Sequence, residues 1–299
     1  MTLKQLEAFY WAAICKNFAV AANRLNISVS SLSKRIGELE TSLGAQLFNR
    51  SARTAALTPL GEHLLPHAKE LLRGADRFMQ QAGTLQAYSG RCAFGVGELT
   101  SWTWMPQFIE ALQQHHPDLR PEPFAGVGHL IEDKLEEGKL DFAIIGGPSS
   151  RPAIASSTIG QVEFTWVGTP QALGRRGRTL PAQLSELTLV TLPHSSGVIR
   201  ILDDWLSHHR IAPGRTLSCN SWGAVAGIIR QGLGVGFLPR AWAQLLCQRA
   251  DMVPLAEFPP LTPLQYCFEW RRDDTRPMLE SMRKLAAETL DFHAPTCMI

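Results

Sequence analysis

The sequence predicts a mostly helical head, one long connecting helix, and an α/β body built of two subdomains. Three observations carry that prediction. Apolar residues recur at helical spacing three times before residue 44, an apolar seam spaced 4-3-4-3-4-3 follows, and beyond residue 90 short apolar runs alternate with amphipathic stretches. At 299 residues, 45% hydrophobic and 19% charged, the chain has the length for two or three compact units and an ordinary globular composition.

Leu3, Leu6, Phe9, Tyr10, Ala13 and Ile14 form the stripe of a first helix. Asn17 is placed to cap a second, with Phe18, Ala21, Ala22 and Leu25 at i, i+3, i+4 and i+7. Ser28 caps a third helix, whose predicted apolar stripe is Val29, Leu32, Ile36, Leu39 and Leu43, and Gly44 stops it. At 100° per residue Ser30, Lys34 and Gly37 lie opposite that stripe, with Ser31 and Ser33 on its flanks. Short hydroxyls and a lysine suit base edges and phosphates in a DNA major groove. Leu47-Phe48-Asn49-Arg50 through Leu57-Thr58 then reads as a basic hairpin, with Arg50 and Arg53 aimed at phosphate or the minor groove. Two short helices, a tight polar turn and a hairpin make a winged helix-turn-helix in residues 1–58, with Ser28, Val29, Ser30, Ser31, Ser33, Lys34, Arg35, Arg50 and Arg53 as its candidate DNA contacts.

Charge distribution supports this assignment. Lys4, Lys16, Arg24, Lys34, Arg35, Arg50 and Arg53 face only Glu7, Glu38 and Glu40 in residues 1–58, a local charge of +4 on a chain whose total is +2. A basic end on a near-neutral body fits a polyanion-binding head.

Residues 59–89 read as a linker helix. Leu64, Ala68, Leu71, Ala75, Phe78, Ala82 and Leu85 make a heptad seam that a lone rod cannot bury, so pairing with a second copy is expected. Pro66 falls inside the pattern and predicts a bend. The linker's charges balance, Lys69, Arg73 and Arg77 against Glu62, Glu70 and Asp76, as suits a protein–protein surface. Two heads on one rod pair require an operator of approximate dyad symmetry.

The head resembles the LysR-type transcriptional regulators. The matching residues are Leu6, Phe9, Phe18-Ala19-Val20-Ala21-Ala22, Leu25, Ser28, Ser33, Ile36, Leu39-Glu40, Leu43-Gly44, Leu47-Phe48, Arg50, Arg53 and Leu57-Thr58-Pro59-Leu60-Gly61. The chain departs from the family's usual S-Q-P-A-V-S with Ser28-Val29-Ser30-Ser31-Leu32-Ser33. Val29 cannot form the bidentate adenine contact open to a glutamine, and a thymine methyl is its available substitute.

The resemblance continues through residues 90–299. Its landmarks are Gly95 with Met105-Pro106, Leu140-Asp141-Phe142-Ala143-Ile144, Ser196-Gly197, and Gly232-Leu233-Gly234-Val235-Gly236-Phe237-Leu238-Pro239. It implies a periplasmic-binding-protein-like effector domain with subdomain I at about 90–163 and 268–299 and subdomain II at about 164–267. A ligand cleft is expected between them, with crossovers near Gly160–Phe164 and Leu264–Phe268. Strands are expected at Cys92–Val96, Leu119–Phe124, Phe142–Ile145, Phe164–Val167, Leu187–Leu192, Leu217–Asn220, Val235–Leu238 and Leu264–Trp270. By position in the pattern, Leu99, Thr100, Ser101, Gly128, His129, Gly146, Gly147, Ser195, Ser196 and Trp222 are the candidate effector contacts. Strand ends and helix N-termini favour a small anionic metabolite there. Trp102, Trp104 and Trp222 offer an aromatic wall.

The implied partners are double-stranded DNA, a small-molecule effector, further copies of the chain as homodimer or homotetramer, and RNA polymerase. No cofactor is implied, and no apolar run approaches the ~18–20 residues of a membrane span. Met1-Thr2-Leu3-Lys4 enters a helical pattern directly, so export is not expected and the cytoplasm is. The six cysteines show no metal-ligand spacing and are expected as free thiols, a redox-sensing pair such as Cys219 with Cys247 having no support beyond the presence of both. Enzyme readings fail on spacing: no G-x-S-x-G surrounds Ser195 or Ser196, and Gly232–Gly236 precedes a strand rather than a helix. The alternative is a cytoplasmic solute-binding module whose basic head meets a partner other than DNA. The expected function is DNA-binding regulation under effector control.

Overall fold

The computed structural model describes residues 1–49, 55–81, 88–173, 181–249 and 252–293. The head contains α1 (Leu3–Cys15), α2 (Phe18–Arg24) and α3 (Val29–Leu43), followed by α4 (Pro59–Gln81). The starts of α1, α2 and α3 are each capped from the sequence. Thr2 and Gln5 form a reciprocal capping box on α1, Asn17 Oδ1 accepts from the N–H groups of Ala19 and Val20, and Ser28 Oγ accepts from Ser31 N. Ala21 and Ala22 are buried, which lets α2 lie close to α1 and α3. Leu32, Ile36 and Leu39 are buried as expected, but Val29 is 46% and Leu43 42% exposed. The predicted stripe of α3 is therefore shorter at both ends, because the head is too small to cover the first and last turns.

Phe48 anchors the hairpin, packing edge-on against Phe9 and tilted against Phe18. Glu40 Oε1 accepts from the Leu47 and Phe48 amides, and a bridge pairs Phe48 with Leu57. Arg50 and Arg53 lie outside the described residues.

Helix α4 runs through Pro66 without interruption. The expected single seam divides in two. Ala68 is buried and Leu64 half-buried against the head's own core, together with Leu65 and Leu72. Leu71 and Phe78, seven residues apart, remain 51% and 72% exposed. The first turns of the rod are consumed by the head, so only the later turns present a free face. Ala82 and Leu85 fall outside the described residues.

The body holds two five-stranded mixed sheets. The first, ordered β2-β1-β3-β10-β4, comprises β1 (Gly90–Val96), β2 (Leu119–Ala125), β3 (Phe142–Gly146), β4 (Ile154–Val162) and β10 (Leu264–Arg271). The second, ordered β7-β6-β8-β5-β9, comprises β5 (Phe164–Gly168), β6 (Thr188–Thr191), β7 (Arg215–Ser218), β8 (Val235–Pro239) and β9 (Val253–Pro254). In the first sheet β1 lies parallel to β2 and β3, whereas β10 is antiparallel to β3 and β4. The first sheet is flanked by α5 (Glu98–Trp102), α6 (Met105–His115), α7 (Gly128–Glu136) and α12 (Pro277–Thr289). The second is flanked by α8 (Pro170–Leu173), α9 (Val198–His209), α10 (Trp222–Arg230) and α11 (Arg240–Arg249). The chain leaves the first sheet at Glu163 and re-enters it at Leu264, a few residues before the expected boundary near 268. Stacked rings of Phe94, Phe142 and Phe268 fill the first core.

Among these core groups is one carboxylate. Glu269 on β10 is fully buried, and its Oε1 accepts from Ser149 N (2.7 Å) and Ser156 Oγ (2.9 Å) while Oε2 has no partner. Burial pushes its pKa up to about 7, the two hydrogen bonds opposing the rise. A carboxyl whose folded pKa exceeds its unfolded value costs nothing below the unfolded pKa, and stability falls as pH climbs from there to the folded value. Glu269→Gln should therefore flatten the stability–pH curve between about pH 4.5 and 7 and leave the protein more stable at pH 8, on the order of a few kcal/mol. Denaturant midpoints measured across that range check it; parallel curves for both proteins would contradict it.

Candidate DNA interface, effector cleft and the contact that joins them

The N-terminal turn of α3 presents the predicted hydroxyl cluster. Ser28, Val29, Ser30, Ser31, Ser33 and Lys34 are exposed and Arg35 is half-buried. Ser28 Oγ lies 2.8 Å from Ser30 Oγ and 2.9 Å from Ser31 Oγ, so the three hydroxyls form one patch at the positive end of a 15-residue helix. Gly37 faces open space, as a backbone-accommodating position requires. Val29 stands out from the core rather than in it, which frees its side chain for a groove. Lys34→Ala is expected to lower the slope of log affinity against log salt by about one, as loss of a single phosphate contact does. Salt titration of a gel shift measures this; an unaltered slope would remove Lys34 from the phosphates.

The cleft lies where the C-terminal ends of the parallel strands of both sheets converge. Its lining includes Gly97, Glu98, Leu99, Gly128, Ile145 and Gly146 from the first sheet's side, and Leu192, Ser195, Ser196, Gly197, Asn220 and Trp222 from the second. Phe164, Leu264 and Tyr266, beside the two crossovers, complete it, and the space including the open mouth is about 660 Å³. The two halves already meet: a Cβ on Gly197 would overlap the carbonyl oxygen of Gly146. Glu98 spans the gap, its Oε1 accepting from Ser221 Oγ and its Oε2 from Trp222 N, both at 2.8 Å.

Of the ten candidate effector contacts, Leu99, Gly128, Gly146, Ser195, Ser196 and Trp222 line this cleft. The other four do not. Thr100 is buried in the core, Ser101 turns its hydroxyl onto the Glu98 carbonyl, His129 lies outside the lining, and Gly147 donates its N–H to Gln265 O across the strand pair. A helical turn after β1 explains the first two, since successive residues there point to different sides. The aromatic wall also changes: Trp104 is wholly buried and Trp102 stacks on Trp242, leaving Trp222 on Phe164. Tyr266 and Leu264 carried no signal beyond belonging to an apolar strand.

Arg24, one of the basic residues that give the head its charge of +4, is buried against the body. Its guanidinium lies 3.8 Å from the centre of the Trp11 ring, donates to Gly138 O at 2.5 Å, and pairs with Asp141 Oδ1 at 2.5 Å. Arg276 bridges Asp141 (2.7 Å) and Asp274 (2.6 Å) from the other side and also faces Trp11. Asp141 Oδ2 accepts from Ala93 N at 2.8 Å. Gly138, at φ +68, brings its backbone so near Cys15 and Arg271 that a side chain there would press on both. Burial alone would raise the pKa of Asp141 and of Asp274, but Arg24 and Arg276 hold both below the usual carboxylate range. Their stabilising contribution is complete at neutral pH and is lost only as pH falls through those depressed values.

This contact joins α1 and α2 to the far end of the three central strands of the first sheet. Asp141, just before β3, accepts from the Ala93 amide midway along β1, and both strands run on to the cleft at Gly97–Glu98 and Ile145–Gly146. β10 begins in the cleft at Leu264 and Tyr266 and ends at Arg271, just before Asp274 and Arg276.

A helix-turn-helix head held against a two-sheet body, with a cleft between the sheets at the far ends of the shared strands, defines the class of one-chain, ligand-responsive DNA-binding regulators. Family comparison gives the same class: residues 3–62 match the bacterial regulatory helix-turn-helix protein, lysR family, and residues 86–291 match the LysR substrate binding domain. The chain belongs to the LysR family of transcriptional regulators, which are not enzymes. It is 26% identical over 302 residues to the HTH-type transcriptional regulator IlvR of Caulobacter vibrioides, covering 99% of this chain and 100% of that one. It is 25% identical over 246 residues to the HTH-type transcriptional activator IlvY of Salmonella typhimurium, covering 80% of this chain and 82% of that one. Its fold is similar to that of a full-length OxyR variant from Pseudomonas aeruginosa, with a TM-score of 0.64, 22% identity, and 100% and 98% of the two chains covered. It is also similar to CbnR in complex with its target DNA, with a TM-score of 0.51, 19% identity, and 97% and 99% coverage.

Proposed function

We propose that this regulator binds an operator of approximate dyad symmetry as a homodimer, the dimers pairing further into tetramers, and that a small metabolite in the cleft changes how the heads are held. The α3 patch of Ser28, Val29, Ser30, Ser31, Ser33, Lys34 and Arg35 reads the major groove. Arg50 and Arg53 of the wing grip the flanking backbone. Leu71 and Phe78 of α4 pair the rods of two copies. The setting is the cytoplasm, with RNA polymerase as the machinery such a complex would address. Among the described residues no helix is long and apolar enough to cross a membrane.

The effector is small and carries an anionic group. Supporting this, α7 begins at the cleft with no side-chain cap on its first N–H groups, and α9 begins there likewise uncapped by a side chain, although its Ile199 N already donates to Ser196 O. Its apolar part lies against Trp222 and Phe164.

The observation that carries the proposal is the shared set of strands, β1, β3 and β10, with the cleft at one end and Arg24's contact at the other. A ligand that prefers one arrangement of the cleft shifts the head only through its differential affinity for the two arrangements, and these strands supply the common element. Gel-shift titration against DNA upstream of the protein's own gene tests the reading. Specific retardation that competitor DNA does not abolish is expected; its absence at moderate salt would favour a solute-binding module with another partner.

A further inference from the structure

Among the described residues, Glu98 is the only Asp, Glu, Lys, Arg or His side chain in the cleft lining. It rises from the first turn after β1, on the first sheet's side, and both carboxylate oxygens are engaged across the gap by Ser221 Oγ and Trp222 N at the start of the nine-residue helix α10. The remaining walls are largely apolar or backbone, with Ile145, Phe164, Leu192, Trp222 and Leu264 set among glycines. An anion entering this space therefore finds one fixed negative charge and, among the described residues, no cationic side chain in the lining to offset it. Charges in such surroundings are poorly screened. A ligand with an ammonium group, in contrast, gains a charge-assisted hydrogen bond from the unused lone pairs of Glu98, and does so without breaking the two bonds that hold the halves together.

Resting on the reading of this cleft as the effector site, we infer that Glu98 is its specificity-determining residue and that the effector is a small zwitterion, an amine and a carboxylate on an apolar body, with the amine directed at Glu98. The free α-amino acids with apolar side chains are the simplest members of that class. Simple carboxylates lacking the amine are disfavoured by the same charge.

The test is calorimetric titration of the full-length protein with L-leucine and L-phenylalanine, against 4-methylpentanoate and 3-phenylpropanoate, which lack the amine, and 3-methylbutylamine and 2-phenylethylamine, which lack the carboxylate. At least one amino acid is expected to bind the wild type about tenfold or more tightly than both of its truncated counterparts, as loss of one charge-assisted contact predicts. Glu98→Gln, with an unfolding midpoint matched to wild type, should erase the preference for amino acid over deaminated acid, whereas Glu98→Asp should keep its direction. Equal or tighter binding of the deaminated acids by wild type, a preference that survives Glu98→Gln, or no heat from any of the six compounds would each overturn the assignment. Specific DNA retardation is measured separately, so loss of the ligand class is distinguishable from loss of the regulator reading.

Discussion

Arg24→Ala is expected to free the DNA-binding head from the body and abolish its response to the cleft, while leaving its intrinsic DNA contacts in place. The substitution removes the guanidinium that satisfies Gly138 O, pairs with Asp141 and covers Trp11 in a single buried position. Losing one member of a buried ion pair costs on the order of 3–5 kcal/mol. Here the cost falls on the association of head and body, because Asp141 keeps Arg276 and the Ala93 amide within its own domain. Amide exchange in α1 and α2 should accelerate, while protection in β1 and β3 stays as in wild type. Operator affinity should change by no more than a few-fold, since Arg24 lies off the α3 face. Arg24→Lys should be only a partial rescue: an ammonium is a point charge and cannot fork to a carboxylate and a carbonyl while also covering an indole ring. Unaltered exchange in α1 and α2 of Arg24→Ala would remove the contact from any role in transmission.

The second large effect is expected at Phe78. It and Leu71 are exposed apolar residues one heptad apart on α4, and Phe78 shows 72% of its surface. Burying a phenylalanine contributes roughly 1.5–3 kcal/mol, and a symmetric pair buries two. Phe78→Asp replaces both with like charges facing each other, so the dimer should weaken by about two or more orders of magnitude. Sedimentation velocity reads the shift to monomer, and gel shifts should show single heads binding weakly to half-sites. A dimer of wild-type stability would mean that the rods pair through another face.

Much of the architecture was legible because the signals are local. Asn17, Ser28 and Gly44 lie at helix ends as their capping chemistry requires, and eight apolar runs of the body became strands in the expected order. Strand β4 was missed because Ile154–Val162 is an edge strand whose middle is Ala-Ser-Ser-Thr, polar enough to read as a loop. In the cleft the glycines and serines were readable by position, but Tyr266 and Leu264 arrive from a strand more than one hundred residues beyond the first sheet's other contributions.

By itself, the sequence determined that a basic three-helix head with a wing precedes a rod and an α/β body, because hydrophobic period and capping residues act over a few positions. Only the tertiary structure decided what each of several charged or apolar residues meets. Arg24, one of several basic residues of the head, became the tie between head and body, through partners 114 and 117 positions away. Glu98 became the charge of the cleft by reaching a helix 124 positions away. The heptad seam was divided when the head covered its first turns and left Leu71 and Phe78 bare. Periodicity states which face of a helix is apolar and which residues are charged; what covers that face or neutralises that charge depends on elements distant in the chain, and those are brought together only by folding.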